Sequence, residues 1–414
     1  MLRGIINRIL NRKTGLIRQV ISYDLKSASI TEPIVVKLGE EDSYHIITGT
    51  QSGELFVVDE TGELHWKFKA SEDVSELEEM FLDSDLGNAI NSTPCAFDIN
   101  EDGKKEVIFG TEFGTVYALN NKGKKLWSFK ADGAIRGRIN VFDFNNDSKL
   151  EIVFGSMDEY LYFLDYKGKL IKKIYVGSEI ESTPVFFKGL TVVGSNDGFI
   201  RAFNSSGKNE WTVTTGSKVN SEAITAKLSG GHEYLLAGST DNFLYCIDEH
   251  GFIIWKFETE GSIYSKPVVE DLNGDGLPEI VFGSCDNRIY VLNEEGVLLW
   301  SFETDFWVVG SPLIMDIDSD KRNEIVLGSY DTQIYVLSAE GSYNMGFIPG
   351  ISGIVHQEGN YSEMPLHDPG EIVGKKIWML KTPGLIVGCC SIRNNLVVQT
   401  KDGQLIWVKH SQKI

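Results

Sequence analysis

The amino-acid sequence repeats one short pattern of glycine and tryptophan along almost its whole length. A glycine closes an apolar run, and a second glycine follows thirteen residues later. The first glycine recurs as Gly49, Gly110, Gly155, Gly194, Gly238, Gly283 and Gly328. The second recurs as Gly62, Gly123, Gly168, Gly207, Gly251, Gly296 and Gly341. Self-similarity of this kind is typical of repeat architectures, in which each copy is one supersecondary unit.

A tryptophan usually stands seventeen residues after the first glycine. It recurs as Trp66, Trp127, Trp211, Trp255 and Trp300, whereas Lys172 and Met345 take its place in two copies. Counting back from Gly403 and Trp407 places a weaker eighth copy at the end, with Cys390 in the place of the first glycine. We expect the tryptophans to fill the wedge between neighbouring units, because a residue repeated in every unit usually serves the fold.

The copy from Val268 to Thr304 shows what one unit contains. Its apolar runs Glu279–Gly283, Arg288–Leu292 and Val297–Phe302 are bounded by Gly, Asn or Asp, which predicts β-strands joined by tight turns. Together with the run before them, they form a four-stranded antiparallel sheet of the size of a propeller blade. We therefore predict an all-β, eight-bladed β-propeller, with seven blades as the alternative.

Four copies carry an acidic loop of constant spacing between their first two strands. Oxygen-bearing side chains occupy loop positions 1, 3, 5 and 9 in each copy. They are Asp98, Asn100, Asp102 and Glu106; Asp143, Asn145, Asp147 and Glu151; Asp271, Asn273, Asp275 and Glu279; and Asp316, Asp318, Asp320 and Glu324. Calcium accepts roughly six to eight oxygen ligands in irregular geometry, so each loop could wrap one ion.

Two interpretations of these loops are open from the sequence. In the first, they bind up to four Ca²⁺ ions, more weakly where Ser148 and Lys321 replace the turn glycines Gly103 and Gly276 at position 6, since glycine eases a sharp turn. In the second, they are Asx-turns whose side chains cap backbone N–H groups without metal. The Glu at position 9 excludes an EF-hand, in which the bidentate Glu stands at about position 12.

The segments LNEEGVLLWSF, IDEHGFIIWKF and VDETGELHWKF resemble the repeat of quinoprotein-alcohol-dehydrogenase-like (PQQ-like) β-propellers. The acidic loops followed by EVIFG or EIVFG resemble the FG-GAP/VCBS-type repeats of integrin α-chains and bacterial surface propellers. The combined resemblance covers roughly residues 30–410. It implies a propeller and makes the matching loop residues calcium ligands, but it does not fix an activity, because this fold carries unrelated functions.

Composition limits the classes of partner and compartment. The chain has 414 residues and a formal net charge of −20, which disfavours nucleic acid and anionic lipid and favours cations and basic partners. Five scattered cysteines do not make a disulfide framework and favour reduced thiols, so we expect a cytoplasmic location. The sequence contains no apolar run long enough for a transmembrane helix.

Three segments depart from the repeat. Residues 1–14 combine apolar residues at helical spacing with Arg and Lys; we predict a short basic helix, which either docks on the propeller or contacts a membrane or protein partner. Residues 15–414 are predicted to be one propeller, interrupted at about 70–89, between the first and second blades, and at about 349–376, before the last blade. The first insertion is acidic, and both are candidates for protein contact because long loops in compact domains are often functional.

The N-terminal part is predicted to contribute an outer strand, Leu16–Ile21, to the last sheet and so close the ring. A competing outer strand at Leu405–Lys409 leaves the closing strand undecided. Residues that precede the inner strands should form one mouth of the central channel. Arg136, Arg138, Tyr264, Lys266 and Trp307 are ligand candidates there, since converging cations could hold a carboxylate. The alternative is that the cations pair with neighbouring acids such as Glu181.

The resemblance raises the question of catalysis. Cys389 and Cys390 resemble the vicinal disulfide of some quinoprotein dehydrogenases, but they fall in what reads as the last blade's second strand, and the long insertions of those enzymes are missing. We therefore do not expect PQQ and predict a non-catalytic calcium-binding interaction platform or assembly subunit. The alternatives are a PQQ-dependent oxidoreductase and an exported adhesion or envelope-assembly propeller, which would require an export signal that residues 1–14 do not resemble.

Overall fold

The computed structural model describes residues 17–39, 42–71, 87–343, 372–393 and 395–410. These residues form eight antiparallel four-stranded sheets arranged in a ring, which confirms the eight-bladed propeller over the seven-bladed alternative. The predicted helix 1–14 and most of both insertions lie outside the described residues. Among the described residues, no helix is long and apolar enough to cross a bilayer.

Each blade contains strands A to D, counted from the channel outwards. The A strands are Ile34–Val36, Cys95–Phe97, Asn140–Phe142, Val185–Phe187, Ile224–Lys227, Val268–Glu270, Leu313–Met315 and Ile386–Ile392. The B strands are His45–Gly49, Glu106–Gly110, Glu151–Gly155, Leu190–Gly194, Glu233–Gly238, Glu279–Gly283, Glu324–Gly328 and Asn395–Thr400. The C strands are Glu54–Asp59, Thr115–Leu119, Tyr160–Leu164, Phe199–Phe203, Phe243–Ile247, Arg288–Leu292, Gln333–Ser338 and Gln404–His410. The D strands are Leu64–Lys69, Lys125–Lys130, Leu170–Tyr175, Asn209–Thr214, Ile253–Glu258, Leu298–Glu303, Lys376–Lys381 and, for blade 8, Ile17–Asp24.

The hydrophobic core lies between neighbouring blades. Strands B and C read as continuous apolar runs because both of their faces are covered, as in Glu106–Gly110, where every residue is buried. The D strands are exposed along most of their length, as in Lys125–Lys130. One core cluster joins Leu55 and Val57 of blade 1 to Val107 and Phe109 of blade 2. Stability therefore comes from interfaces between adjacent units, as in other repeat proteins.

The first repeated glycine sits where two blades approach most closely. A Cβ atom added to Gly110 would lie 2.4 Å from Cγ2 of Ile135 in the next blade. The same contact recurs at six further blade joints, with Ile90, Ile180, Val219, Ile263, Val308 or Ile386 as the large partner. Any larger residue would collide at this point, which explains why a glycine recurs here.

The second repeated glycine lies against the tryptophan of the preceding blade. An added Cβ at Gly123 would lie 2.6 Å from the Trp66 ring, and the Trp66 indole donates to the Asn121 carbonyl at 3.1 Å. The indoles of Trp127 and Trp211 donate to the next blade in the same way. The tryptophans thus pack into the wedge and cross-link adjacent blades, as predicted.

Lys172 fills the tryptophan position of blade 3 by different means. Its Nζ donates to the Ser205 carbonyl at 2.5 Å, the carbonyl that corresponds to Asn121 in the wedge between blades 1 and 2. Ile174 packs against Gly207 in place of the indole ring. The blade therefore keeps both the hydrogen bond and the apolar contact without a tryptophan.

The seventh copy is misassigned by the sequence pattern. Trp378 pairs with Val336, so it, rather than Met345, holds the tryptophan position, and Gly374, rather than Gly341, packs against Trp300 of blade 6. The second insertion thus lies between strands C and D of blade 7, not before the last blade. Its two ends, Ser342–Tyr343 and Ile372–Val373, add to the outer strand of blade 6.

The ring is closed by the N-terminal part of the chain. Strand Ile17–Asp24 pairs antiparallel with Gln404–His410, which decides the closing strand that the sequence left open. The predicted outer strand Leu405–Lys409 is therefore wrong: it is strand C of blade 8. Thr400 bonds to Gln404 as Thr50 bonds to Glu54, so Gln399 holds the first-glycine position. Cys390 lies in strand A instead.

Candidate metal loops and channel mouth

The four acidic loops connect strands A and B in blades 2, 3, 6 and 7. In the first loop, Asp98 follows the end of strand A directly, and Glu106 is the first residue of strand B. Position 1 is therefore anchored by one strand and position 9 by the next. The structure brings the four predicted side chains of each loop onto one short connection, where sheet geometry fixes both ends.

Hydrogen bonds from side chains to the backbone shape each loop. The Asp98 carboxylate accepts from the N–H groups of Asp102 at 3.1 Å and Gly103 at 2.8 Å. Asn100 accepts from Asp102, and Asp102 accepts from Lys104, both at 2.9 Å. Equivalent bonds to the amides of positions 5, 6 and 7 recur in the other loops. The third loop differs in one bond: Asp271 accepts from the amide of Gly274, at position 4, and not from that of Asp275, at position 5. The Asx-turn geometry is therefore present, and it leaves further carboxylate lone pairs for a cation.

The glutamate at position 9 is buried in all four loops, although it carries a carboxyl group. Glu106 accepts from the Ile99 amide at 3.2 Å, and Glu279 accepts from the Leu272 amide at 2.8 Å. Burial raises the pKa of Glu106, Glu151 and Glu324 to about 7, and repulsion from the loop aspartates adds to each shift. A cation in these loops would relieve that repulsion.

The turn at position 6 has the same conformation in all four loops. Gly103 and Gly276 have φ of 82° and 86°, and Ser148 and Lys321 have φ of 66° and 73°. Left-handed backbone costs a residue with a side chain about 1–2 kcal/mol, but it is adopted here. The four loops therefore share one turn conformation, and weaker calcium sites in the second and fourth loops stay a prediction.

Three acidic side chains of the fourth loop are close enough to share a metal ion. Carboxylate oxygens of Asp316, Asp318 and Glu324 lie within 4.8 Å of one another. Oxygens that share one calcium at about 2.3–2.6 Å can be up to about 5 Å apart, so this spacing is compatible with a shared ion. The loop faces a cleft of about 680 Å³, which the third loop lines from the other side through Asp271 and Asn273.

A second recurrent aspartate, between strands B and C, has a structural role. Asp286 accepts from the Arg288 amide at 3.1 Å, the Tyr290 hydroxyl at 2.7 Å and the Glu260 amide at 2.9 Å. Asp158, Asp241 and Asp331 make the same three bonds. In blade 4, Asp197 pairs with Arg201 instead. The aspartate caps its own turn and ties it to the connection from the preceding blade.

The predicted ligand residues at the channel mouth divide into two groups. Arg136 forms a bidentate pair with Glu112, with Nε to Oε1 at 3.0 Å, and lies 3.6 Å from Glu181. Glu222 accepts from Lys266 at 2.5 Å and lies 3.8 Å from Arg138. The cations are thus paired with carboxylates, as in the alternative that the sequence left open.

Tyr264 and Trp307 form the other group, because their side chains are 44% and 45% exposed. The sequence interpretation missed Phe306, which is also 45% exposed and stacks on Trp307 with ring centroids 5.2 Å apart. It also missed Glu32, which accepts from the Ser311 amide at 2.9 Å and whose pKa is raised by burial. Its position three residues after Ser29 corresponds to that of Lys266 after Ile263, so comparing copies could have found it.

Comparison with known proteins supports the fold and not a family. A family model described as the lambda-carrageenase β-propeller domain matches residues 74–179 and 266–347, which together are less than half of the chain. No curated protein matches the sequence.

Many solved structures match this chain, and two of them illustrate the shared fold. BamB from Moraxella catarrhalis has a TM-score of 0.63 at 16% identity, over 95% of this chain and 99% of that one. The computationally designed Ika8 protein has a TM-score of 0.64 at 16% identity, over 94% and 98%. At this identity the likeness shows the β-propeller architecture alone.

Proposed function

We propose that this propeller is a non-catalytic, calcium-binding platform for protein–protein interaction, either alone or as a subunit of a larger assembly. One observation carries the proposal: four blades present the same oxygen-rich A–B loop, with a buried glutamate at its base. The other four blades form without such a loop in the described residues, as at Lys188–Gly189. The loops are therefore not required by the fold, and a costly buried carboxyl group indicates a function.

Calcium would be held by the side chains at positions 1, 3, 5 and 9 of each loop. When bound, the ion supplies positive charge that offsets the three or four acidic groups of a loop and stiffens the connection. The chain's own contribution is to fix these oxygens through the backbone bonds of Asp98 and its counterparts. Rigid loops on one face of the disc would then present a defined surface to a partner.

Calorimetry tests the metal part. We expect calcium binding to the wild-type chain and a stoichiometry that falls by one in each of Asp98→Ala, Asp143→Ala, Asp271→Ala and Asp316→Ala. Glu303→Gln, an exposed acid of an outer strand, is the matched control and should bind like the wild type. Absence of calcium binding to the wild type would contradict the proposal.

The channel mouth supports a non-catalytic role over the PQQ-dependent alternative. Arg136, Arg138 and Lys266 are paired with carboxylates. Cys389 and Cys390 are consecutive residues of a regular strand, so their side chains point to opposite faces of the sheet. Dye reduction by the chain after reconstitution with PQQ and calcium would contradict this part. Cross-linking in cells of the native source, followed by mass spectrometry, tests the interaction role, which predicts a recurrent protein partner.

The cysteines support a reducing compartment. All five are free, and burial raises the pKa of Cys246 and Cys389 to about 12 and of Cys285 to about 11. Thiols with so little thiolate at neutral pH are poor nucleophiles. We include a cytoplasmic location in the proposal; fractionation of the native source would test it.

A further inference from the structure

The junction between blades 6 and 7 departs from the repeat at the channel mouth. In every blade, the amide of a residue within the B–C turn, two residues after the repeated glycine of strand B or after Gln399 in blade 8, donates to a carbonyl of the connection from the preceding blade. In blade 7 the donor is Tyr330 and the acceptor is Trp307, at 2.9 Å; in blade 6 they are Cys285 and Ser262, at 3.0 Å. The backbones therefore correspond residue by residue, and side chains can be compared directly.

At most junctions, the residue that supplies this acceptor carbonyl and the residue before it have small or polar side chains. The pairs are Ser27–Ala28, Asn88–Ala89, Gly133–Ala134, Ser178–Glu179, Ser217–Lys218, Gly261–Ser262, Phe306–Trp307 and Gly384–Leu385. Phe306–Trp307 stands out as a pair of large aromatic rings, which together with the exposed ring of Tyr264 face solvent. Because seven junctions form without them, these rings are not needed for the blade joint, and exposing them has a cost that a binding role would explain.

The aromatic pair is held on a rigid support. The Phe306 carbonyl accepts from Thr304 at 2.7 Å and from Ser329 at 2.9 Å. The rings stack on each other, and the Trp307 carbonyl accepts from the Tyr330 amide of the next blade. Preorganised aromatic rings lose little conformational entropy on binding, which is typical of residues that dominate an interface.

The surrounding loops carry more acids than bases. Residues 258–264, 284–287, 303–311 and 329–332 form this sector and contain no Lys or Arg. Arg288, the next residue after the second of these ranges, pairs with Glu303 across the sheet and interacts electrostatically with Asp286 and Glu260. They contain six carboxylates: Glu258, Glu260, Asp286, Glu303, Asp305 and Asp331. Asp286 and Asp331 are engaged in turn caps, whereas Glu260 and Asp305 are exposed. Aromatic faces next to carboxylates suit a cation, because a guanidinium or ammonium group can stack on the ring while it pairs with an acid.

We propose that Tyr264, Phe306 and Trp307 form a docking surface for a basic polypeptide segment of a partner protein, with Asp305 as its charge partner. The proposal rests on the interaction role proposed above and names the partner's chemistry. An anionic membrane does not fit, because the carboxylates would repel it. A neutral sugar could stack on the rings but would make no use of the charges.

A peptide-display experiment tests the surface on the full-length chain. Random peptides are selected on the wild type and counter-selected on Phe306→Ser/Trp307→Ser, a variant expected to fold because Ser217 and Ser262 occupy these positions at other junctions. Phe252→Ser, which removes a ring that is 67% exposed elsewhere, is the matched control.

We expect the enriched peptides to be rich in Arg and Lys and to bind the double variant at least about tenfold more weakly than the wild type and the control. Asp305→Asn should weaken binding by a smaller factor and reduce its dependence on salt. Enriched peptides that are neutral or acidic, equal binding to the double variant, or no enrichment would each overturn the proposal. So would binding of a neutral cello-oligosaccharide that the double variant loses. None of these outcomes would decide the cross-linking test of the interaction role, because a partner could bind to another part of the surface.

Discussion

Seven of the eight blade joints follow one rule, and the joint that closes the ring follows another. At the seven, a glycine of strand B faces a large Ile or Val of the next blade, as Gly238 faces Ile263. At the closing joint the sizes are exchanged. Gln399 occupies the glycine position, and the small Ser29 lies opposite; Gln399 donates to the Ser29 hydroxyl at 2.5 Å and the Thr31 carbonyl at 3.0 Å.

The outer part of the closing joint is also rearranged. Ile21 stands at the tryptophan position of the outer strand, and the large ring comes from strand C, where its pairing partner Trp407 is fully buried. Both residues approach Gly62 of blade 1. Each joint therefore needs side chains of about the same total volume, but the strand that supplies the large side chain can differ.

Removal of the closing strand should have the largest effect. Deletion of residues 17–24 would uncover strand C of blade 8, including Trp407 and Leu405, and would leave the edge of that strand unpaired. We expect a loss of more than about 5 kcal/mol of unfolding free energy, enough to remove cooperative unfolding. Calorimetric melting checks this. A chain that lacks only residues 1–14 is the control and should melt like the wild type; a cooperative transition after the larger deletion would contradict the closure.

Truncation of the wedge residues should show which strand supplies the volume at each kind of joint. Trp300→Ala and Trp407→Ala should each cost about 3–5 kcal/mol, because both rings are buried and leave a large cavity. Ile21→Ala should cost less than either, since this half-buried side chain only assists at the closing joint. Chemical denaturation measures all three. A larger cost for Ile21 than for Trp407 would mean that the outer strand carries the wedge at every joint.

The ordinary joints could be predicted from the sequence because the same steric demand recurs at each. Gly110 and Trp127 mark contacts that every similar blade must make, so the period locates them. The closing joint and the seventh blade could not be read in this way. Trp378 is separated from its strand partner Val336 by a long insertion, and Ile17–Asp24 pairs with strand C of blade 8 from the opposite end of the chain. A local period carries no information on such distant pairing.

The sequence was sufficient to locate the acidic loops, but not to find the ion pairs of the channel mouth or the backbone conformation of the loop turns. The spacing of Asp98 and its counterparts locates the loops, since the two flanking strands fix their ends. The pairing of Arg136 with Glu112 depends on side chains of neighbouring blades and leaves no mark in either copy alone. The shared backbone at position 6 was also hidden, because Ser148 and Lys321 adopt a conformation that residue type disfavours.

Gln399 and Ser29 face each other at the closing joint, and replacing them with Gly and Ile should give this joint the arrangement of the other seven. Gln399→Gly removes two hydrogen bonds and leaves a cavity, so it should cost about 2 kcal/mol. Ser29→Ile should cost about 1–3 kcal/mol, because the larger side chain collides with Gln399. The double variant should recover more than about 1 kcal/mol relative to the sum of the single changes. Denaturation of the four proteins gives the coupling free energy; purely additive costs would show that the two positions do not form one contact.

We expect the smallest change in unfolding free energy at Lys172. Among the described residues, it lies at the one ordinary joint that has no tryptophan. Lys172→Met keeps the length of the side chain but removes the donor to the Ser205 carbonyl. That carbonyl lies at the surface and can bond to water, so the cost should be only about 0.5–1.5 kcal/mol. Trp127→Phe is the matched change, since it removes the indole donor to Tyr166 and keeps most of the ring. If Lys172 substitutes for the indole chiefly through this bond, the two variants should lose similar unfolding free energy. A much larger loss for Trp127→Phe would assign the wedge to ring packing and leave the hydrogen bond a minor part of the joint.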